Sequence, residues 1–246
     1  MRLAVISDIH EDYLSLQKIL LKAEAKGYDQ LICLGDISGF SQPFYKYRKS
    51  RDASACLHLL REKCEIIIPG NHDLHLARRI PEHSAIFDFP KDWYELPLHQ
   101  RTELTKDEIW LHEDELEHNY TPGDIAFLNT LSEFSVLNTP ELNILLSHYA
   151  FPNLSGFKKG FYSWEKEFSQ HFEFMQENDC SLCFTGHAHP RGFYIVHPDS
   201  FKQYRYRGIK ISDFPAIVGI PPVTRHKHRT GFCIFDTDQL VVRAHK

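Results

Sequence analysis

Five short runs of apolar residues punctuate the chain, and each stops abruptly at polar residues. They are Leu3-Ala4-Val5-Ile6, Leu31-Ile32-Cys33-Leu34, Ile66-Ile67-Ile68, Ile144-Leu145-Leu146 and Leu182-Cys183-Phe184. Apolar runs of this length, bounded by turn residues, read as buried strands. After the first run, Leu14, Leu16, Ile19, Leu20 and Ala23 fall mostly on one helical face. That spacing predicts a helix from about Tyr13 to Ala25, ended by Gly27. A strand over 30–34 follows, then a long loop through Pro43, a helix from about Asp52 to Lys63 and a strand over 65–68. Such a βαβαβ unit implies parallel neighbours in a sheet covered by helices.

The stretch from 84 to 140 is less regular. It holds aromatics (Phe87, Phe89, Trp93, Tyr94, Trp110, Tyr120) and an acidic segment, Glu113-Asp114-Glu115-Leu116-Glu117, which reads as a solvated helix face. One helix is well signalled, with Thr121 as N-cap, Pro122 at the first helical position, then Ile125, Phe127, Leu128 and Leu131. Beyond it the pattern predicts a strand over 142–147, a Gly- and aromatic-rich loop over 149–163, a helix to about Glu177 and a strand over 180–184. From Gly192 onward short strand-like runs alternate with turns and read as antiparallel. No repeat, low-complexity tract or linker interrupts the chain. The expectation is one domain over 1–246 with a partly helical insertion at about 84–140.

The polar residues that end the five runs are Asp8-Ile9-His10, Gly35-Asp36, Gly70-Asn71-His72-Asp73, His148 and Gly186-His187-Ala188-His189. In open α/β sheets ligands bind beyond the carboxyl ends of the strands. The strands therefore deliver Asp8, His10, Asp36, Asn71, His148, His187 and His189 to one edge. Mixed imidazole and oxygen donors suit Mn, Fe, Zn, Co or Ni, whereas Ca and Mg prefer oxygen alone. Seven donors exceed the needs of one tetrahedral ion and fit two ions sharing a carboxylate. Such a pair, about 3.5–4 Å apart, clamps the attacking and leaving oxygens of a phosphoryl displacement. Two divalent ions facing only Asp8 and Asp36 leave roughly two positive charges uncompensated, so the centre seeks anions such as a bridging hydroxide or a phosphate oxygen. His72, beside Asn71, titrates in the right range to protonate the leaving alkoxide.

Composition narrows the field. With 28 basic and 33 acidic residues the net charge is −5, which offers no argument for broad nucleic-acid or anionic-membrane binding. Sixteen histidines are a high count, and the placement of several within the motifs argues against generic surface positions. No stretch has the length to span a bilayer, and no basic segment followed by a signal-peptide core opens the chain, so the expected address is cytoplasmic. Cys33, Cys64, Cys183 and Cys233 lie in or beside apolar runs and read as small hydrophobes. Cys180 and Cys183 spell a CxxC, but residues three apart on a strand face opposite ways, and no second CxxC completes a zinc site.

Taken in order, the five motifs resemble the signature of the calcineurin-like metallophosphoesterase superfamily: DxH, GD, GNH[DE], H and GHxH, matched from Asp8 to His189. The resemblance implies an α/β fold in which two mixed β-sheets pack as a sandwich flanked by helices. It implies one metal held by Asp8, His10, Asp36 and His189, and another by Asp36, Asn71, His148 and His187, with Asp36 bridging and His72 as proton donor. The activity implied is hydrolysis of a phosphomonoester or phosphodiester by a metal-bridging hydroxide. Departures bear on the substrate. The run Gly35-Asp36-Ile37-Ser38-Gly39-Phe40-Ser41 lacks the arginine and the carboxylate of the GDxVDRG motif of Ser/Thr protein phosphatases, leaving Asp73 as the substitute for orienting His72. Around Gly219 the Asn and Ser of the Asn-Pro-Gly-Ser element of small prokaryotic members are absent.

Arg78 and Arg79, just past the GNHD motif, are candidates to grip a substrate phosphate through their planar forks. Arg225, the third candidate substrate-binding residue, opens a basic run, Arg225-His226-Lys227-His228-Arg229, read either as a hairpin loop near the active edge attracting polyanions or, preferably, as a solvated turn. Tyr149, Phe151, Phe157, Phe161, Tyr162 and Trp164 flank the loop after His148. They suit nucleobase stacking, but core residues anchoring a long loop are the expectation. His112, His118 and His197 lack a motif and read as structural or exposed. The expected partner is a small phosphate ester, a nucleotide among the candidates. A nuclease or nucleotide phosphodiesterase is the alternative within the enzyme class; a catalytically silent protein-binding scaffold is the alternative outside it, and the intact signature argues against that.

Overall fold

The apolar runs are strands because both their faces are covered. In β1 (Arg2–Ile6), Leu3 and Val5 point into a core between two sheets, whereas Ala4 and Ile6 pack beneath helices. The remaining strands, in chain order, are β2 (Gln30–Cys33), β3 (Ile66–Ile67), β4 (Phe134–Asn138), β5 (Asn143–Ser147), β6 (Leu182–Thr185), β7 (Phe193–His197), β8 (Ser200–Tyr204), β9 (Gly208–Lys210), β10 (Ala216–Gly219), β11 (Phe232–Asp236) and β12 (Val241–His245). The helices are α1 (Tyr13–Lys26), α2 (Ala53–Lys63), α3 (Asn71–Leu76), α4 (Leu98–Thr105), α5 (Pro122–Leu128) and α6 (Ser169–Glu177).

The computed structural model, which describes residues 1–225 and 229–246, arranges these strands in two mixed sheets ordered β3-β2-β1-β11-β12-β9 and β4-β5-β6-β10-β7-β8. β1, β2 and β3 are parallel, as the βαβαβ pattern predicts, and so are β5, β6 and β10. The sheets pack face to face. Phe184 of β6 meets Phe235 of β11 at a ring separation of 5.4 Å, within a core that also takes Leu3, Val5, Leu146 and Val218. Each fully buried side chain of this size contributes about 1.5–3 kcal/mol. Outside the first sheet lie α1 and α2, through Leu16, Ile19 and Leu20 and through Cys56, Leu57 and Leu60. Asp12 and Asp52 cap them by accepting from Ser15 N and Ala55 N. Met175 of α6 joins Leu145 and Cys183 in the layer outside the second sheet. No described helix is long and apolar enough to cross a membrane.

Two local expectations are corrected, and the reading of the 84–140 stretch is extended. The tail is antiparallel except for β10, which enters the gap between β6 and β7 and pairs in parallel with β6, so that its backbone groups are satisfied on both sides. The 84–140 stretch contains, besides α5, the helix α4 and the strand β4, whose residues are only half-buried and so carry no strong apolar run. The acidic segment is not a helix face. Leu116 N donates to the Phe40 carbonyl at 3.0 Å, Asp114 accepts from Ser41 Oγ, and Glu115 forms an isolated bridge with Ser41. Glu113, Asp114 and Glu117 are exposed, so the solvated part of the expectation holds, while Glu115 and Leu116 are half-buried against the loop after β2.

Candidate metal centre

All seven predicted ligands stand at the carboxyl ends of parallel strands: Asp8 and His10 after β1, Asp36 after β2, Asn71 after β3, His148 after β5, His187 and His189 after β6. Five of them occupy the left-handed region, with φ of 57° at Asp8, 47° at His10, 52° at Asp36, 62° at His187 and 48° at His189. For non-glycine residues this costs about 1–2 kcal/mol each. The turns persist because they interlock. Asp8 N donates to the Gly35 carbonyl at 2.9 Å, His10 N to the Asp36 carbonyl at 2.9 Å, and His187 N to the Asp8 carboxylate at 3.1 Å.

The side chains converge. His189 Nε2 lies 3.1 Å from Asp8 Oδ1 and 3.3 Å from His10 Nε2; His148 Nε2 lies 3.1 Å from Asp36 Oδ2, and His10 Nε2 is 3.9 Å from the same oxygen. Asp8-His10-His189 and Asp36-His148-His187 each gather donor atoms within 4.8 Å of one another, so each could hold a metal ion. Two buried ligand atoms, Asn71 Oδ1 and His187 Nε2, have no hydrogen-bond partner, whereas His148 Nε2 is paired with Asp36. Burial without a partner costs about 1–3 kcal/mol per polar atom, and a cation that both face removes that cost. The tautomers agree: His10 Nδ1 donates to the Gly39 carbonyl at 3.0 Å and His148 Nδ1 to the Leu34 carbonyl at 2.6 Å, turning both Nε2 atoms to the centre. The donor set fits two ions.

Charge states point the same way. Burial opposes ionisation of Asp36, but His148, His72 and His10 outweigh it and hold the carboxyl well below its usual range. Burial, reinforced by the neighbouring His72, pushes His10 down to about 3, and burial with His148 nearby holds His187 well below its usual range. Ionised carboxylates and neutral imidazoles are what ligation requires; His148 is the exception, since burial opposes its charge but Asp36 raises it to about 9, so an ion bound there would displace its proton. His72 behaves oppositely: burial disfavours its charge, yet Glu115 and Asp36 together raise it to about 10.

His72 Nε2 lies 3.8 Å from Asp36 Oδ2, beside the ligand cluster, and its Nδ1 donates to Glu115 Oε1. Asp73, the expected orienting carboxylate, is spent elsewhere: it accepts from the backbone N–H of Ile37, Ser38 and Gly70 and from Ser38 Oγ. Nor could a carboxylate side chain stand at Gly39, where any Cβ would overlap the His72 ring. Sequence reasoning missed Glu115 and its neighbour His112. The signal available was negative: a missing carboxylate after Asp36 called for a replacement, and nothing in 113–117 distinguished one acid from another.

The arginine candidates are not at the centre. Arg78 is exposed and donates to the Tyr94 carbonyl at 2.8 Å and to Glu95 at 2.5 Å. Arg79 reaches the Leu131 carbonyl and Glu82, and lies 3.7 Å from fully buried Glu133. Both follow a helix that leads away from the ligands, and the nearer acids capture them. Arg225 grips fully buried Asp12 through Nε and Nη2, both at 2.8 Å. Of its basic run, 226–228 lie outside the described residues, and Arg229 lines the basin over the centre, donating to the His189 carbonyl at 3.0 Å. That basin holds about 220 Å³, with Phe44, Tyr45, Trp110 and Phe161 in its wall. Tyr149 and Phe157 are core, as expected, whereas Phe161 is 49% exposed, with its ring 5.2 Å from that of His187.

A two-sheet sandwich with Asp, Asn and His donors at one edge defines a metallophosphoesterase fold. The family model for calcineurin-like phosphoesterases matches residues 1–191, and the chain belongs to that family. Its fold is similar to that of a metallophosphoesterase from Sphaerobacter thermophilus, with a TM-score of 0.65 and 19% identity over 100% of this chain and 87% of the other. It is also similar to the hypothetical protein PH1004 from Pyrococcus horikoshii OT3, with a TM-score of 0.59 and 15% identity over 100% and 87%. In sequence, it is 32% identical over 71 residues to the uncharacterized protein MJ0912 of Methanocaldococcus jannaschii, a match spanning 29% of this chain and 26% of that protein.

Proposed function

We propose that the protein is a di-metal phosphoesterase acting on a small phosphomonoester or phosphodiester that carries a flat apolar group, such as an aryl or nucleobase moiety. The observation that carries this reading is the convergence of seven side chains from five strand ends, two of whose ligand atoms, Asn71 Oδ1 and His187 Nε2, are buried without a partner. Asp8, His10, Asp36 and His189 would hold one ion, and Asp36, Asn71, His148 and His187 the other. When bound, the ions supply an activated water and polarise the phosphoryl group. The remaining work belongs to the chain. His72, held with Nδ1 toward Glu115, presents Nε2 on the centre's side and donates a proton to the departing oxygen. Arg229 supplies a cation beside the basin, and the aromatic walls exclude water and favour a flat group.

Two variants and a substrate panel test the reading. The metal-replete protein, with Mn, Fe, Co, Ni or Zn, is assayed on p-nitrophenyl phosphate, its bis-ester, alkyl phosphates and nucleotides. Asp36→Asn should lose metal and turnover together. His72→Ala should keep metal and lose about 10²–10⁴-fold in kcat on alkyl esters, with a smaller loss on nitrophenyl esters, whose leaving group needs no proton. Inactivity with every metal on every ester would favour the silent scaffold.

A further inference from the structure

Residues 109–116 run as a strap between two loops of the metal edge. On one side Trp110 N donates to the Phe157 carbonyl at 2.8 Å and Ile109 bridges Lys158; on the other, Leu116 bonds Phe40 and Glu115 bridges Ser41. The strap sets two side chains against the GNHD turn. Glu115 Oε1 accepts from His72 Nδ1 and also lies 2.7 Å from His112 Nδ1. His112 Nε2 in turn lies 3.3 Å from Asn71 Nδ2. One proton assignment satisfies the whole chain. Glu115, an acceptor only, takes Nδ1–H from both rings; His112 Nε2 is then an acceptor and receives Asn71 Nδ2–H. Asn71 Oδ1 is left turned away from this chain, buried and without a partner, as a ligand oxygen must be.

We infer that His112 and Glu115 form a positioning clasp, in which Glu115 orients the proton donor His72 while His112 fixes the amide of Asn71 with its oxygen toward the metals. The clasp takes the place of the carboxylate that Gly39 excludes and Asp73 does not provide. Both are assigned as positioning residues, acting through His72 and Asn71. The part played by Glu115 rests on the phosphoesterase reading above; the part played by His112 concerns only how Asn71 faces a cation. Outer partners of this kind are worth about 10–100-fold in metal affinity.

The clasp is tested by three measurements on the full chain. In the metal-free protein, long-range ¹H–¹⁵N spectra, assigned with His112→Phe, should find His112 as the Nδ1–H tautomer. His112→Phe should weaken Mn²⁺ or Zn²⁺ binding at the second site at least about tenfold by calorimetry. Glu115→Gln should keep both metals and lose about 10²-fold in kcat on an alkyl ester but under tenfold on the nitrophenyl ester, with Glu115→Asp recovering part of the loss. In a His72→Ala background Glu115→Gln should add less than twofold, because both changes remove one function. An Nε2–H tautomer at His112 with unchanged metal affinity overturns the half that concerns Asn71. Equal losses on both esters, or losses additive with His72→Ala, overturn the half that concerns His72. If no ester is hydrolysed by the wild type, the phosphoesterase reading and the Glu115 assignment fall together, while the tautomer and calorimetry still decide on His112.

Discussion

Gly39→Ala probes the contact on which the His72 assignment depends. Gly39 has φ of 88°, a conformation in which an L-residue costs about 1–2 kcal/mol. A methyl group there would overlap His72 Nδ1 and Cγ and stand 2.7 Å from His72 Cβ, closer than real Cβ atoms approach. The ring must therefore move. Overpacking of this kind costs about 1–3 kcal/mol. Displacing the ring from Glu115 forfeits a charge-assisted hydrogen bond worth about 1.5–3 kcal/mol. Gly160 is a matched control, because it has φ of 92° and an added Cβ there meets nothing within 4 Å. Gly160→Ala thus carries only the backbone cost. Urea unfolding of the metal-free proteins should place Gly39→Ala at least about 2 kcal/mol below Gly160→Ala, with equal m values. With metals restored, its kcat on alkyl phosphates should fall about 10²-fold as the proton donor is turned away. If Gly39→Ala is as stable as Gly160→Ala and retains wild-type turnover, His72 does not occupy the wedge between Gly39 and Glu115, and the reasoning fails.

Three further outcomes follow from the placement of charged groups. Arg225→Ala should destabilise by about 1–3 kcal/mol, because it removes a charge-assisted partner of the buried Asp12 that also caps α1, while KM of the remaining folded enzyme stays unchanged; a raised KM at full stability would restore Arg225 as a substrate ligand. Arg79→Ala should cost about 1–3 kcal/mol through its contacts with the Leu131 carbonyl and buried Glu133, whereas the exposed Arg78→Ala should change neither stability nor kcat/KM measurably, both read by urea unfolding and steady-state kinetics. His171 is fully buried, accepts from Phe151 N at 3.0 Å, and is pushed down to about 3 by burial. Its stabilising contribution is complete above pH 6.5 and is lost as pH falls toward 3, since only the unfolded chain then binds the proton. His171→Gln should flatten the stability–pH slope of the metal-free protein in this window by about 1.4 kcal/mol per pH unit, and an unchanged slope would refute the assignment.

Much of this protein is local, and what is local was legible. Continuous apolar runs mark strands covered on both faces, Asp12 and Asp52 cap their helices, and short interlocked turns at strand ends carry the seven candidate ligands in sequence order. Periodicity and turn chemistry act between near neighbours, so they leave a trace in the chain. The position of β10 between β6 and β7, the strand β4, the capture of Arg78 and Arg79 by nearby acids, and the union of Asn71 and His72 with a strap some forty residues away leave none. Each of these depends on which groups remain unsatisfied once the sheets have closed. By itself the sequence determined which Asp, Asn and His donors meet at one edge of the sheets. Only the tertiary structure decided what holds Asn71 and His72, because a hydrogen bond between distant segments has no period, and it brought an apolar wall of Phe44, Trp110 and Phe161 around the basin.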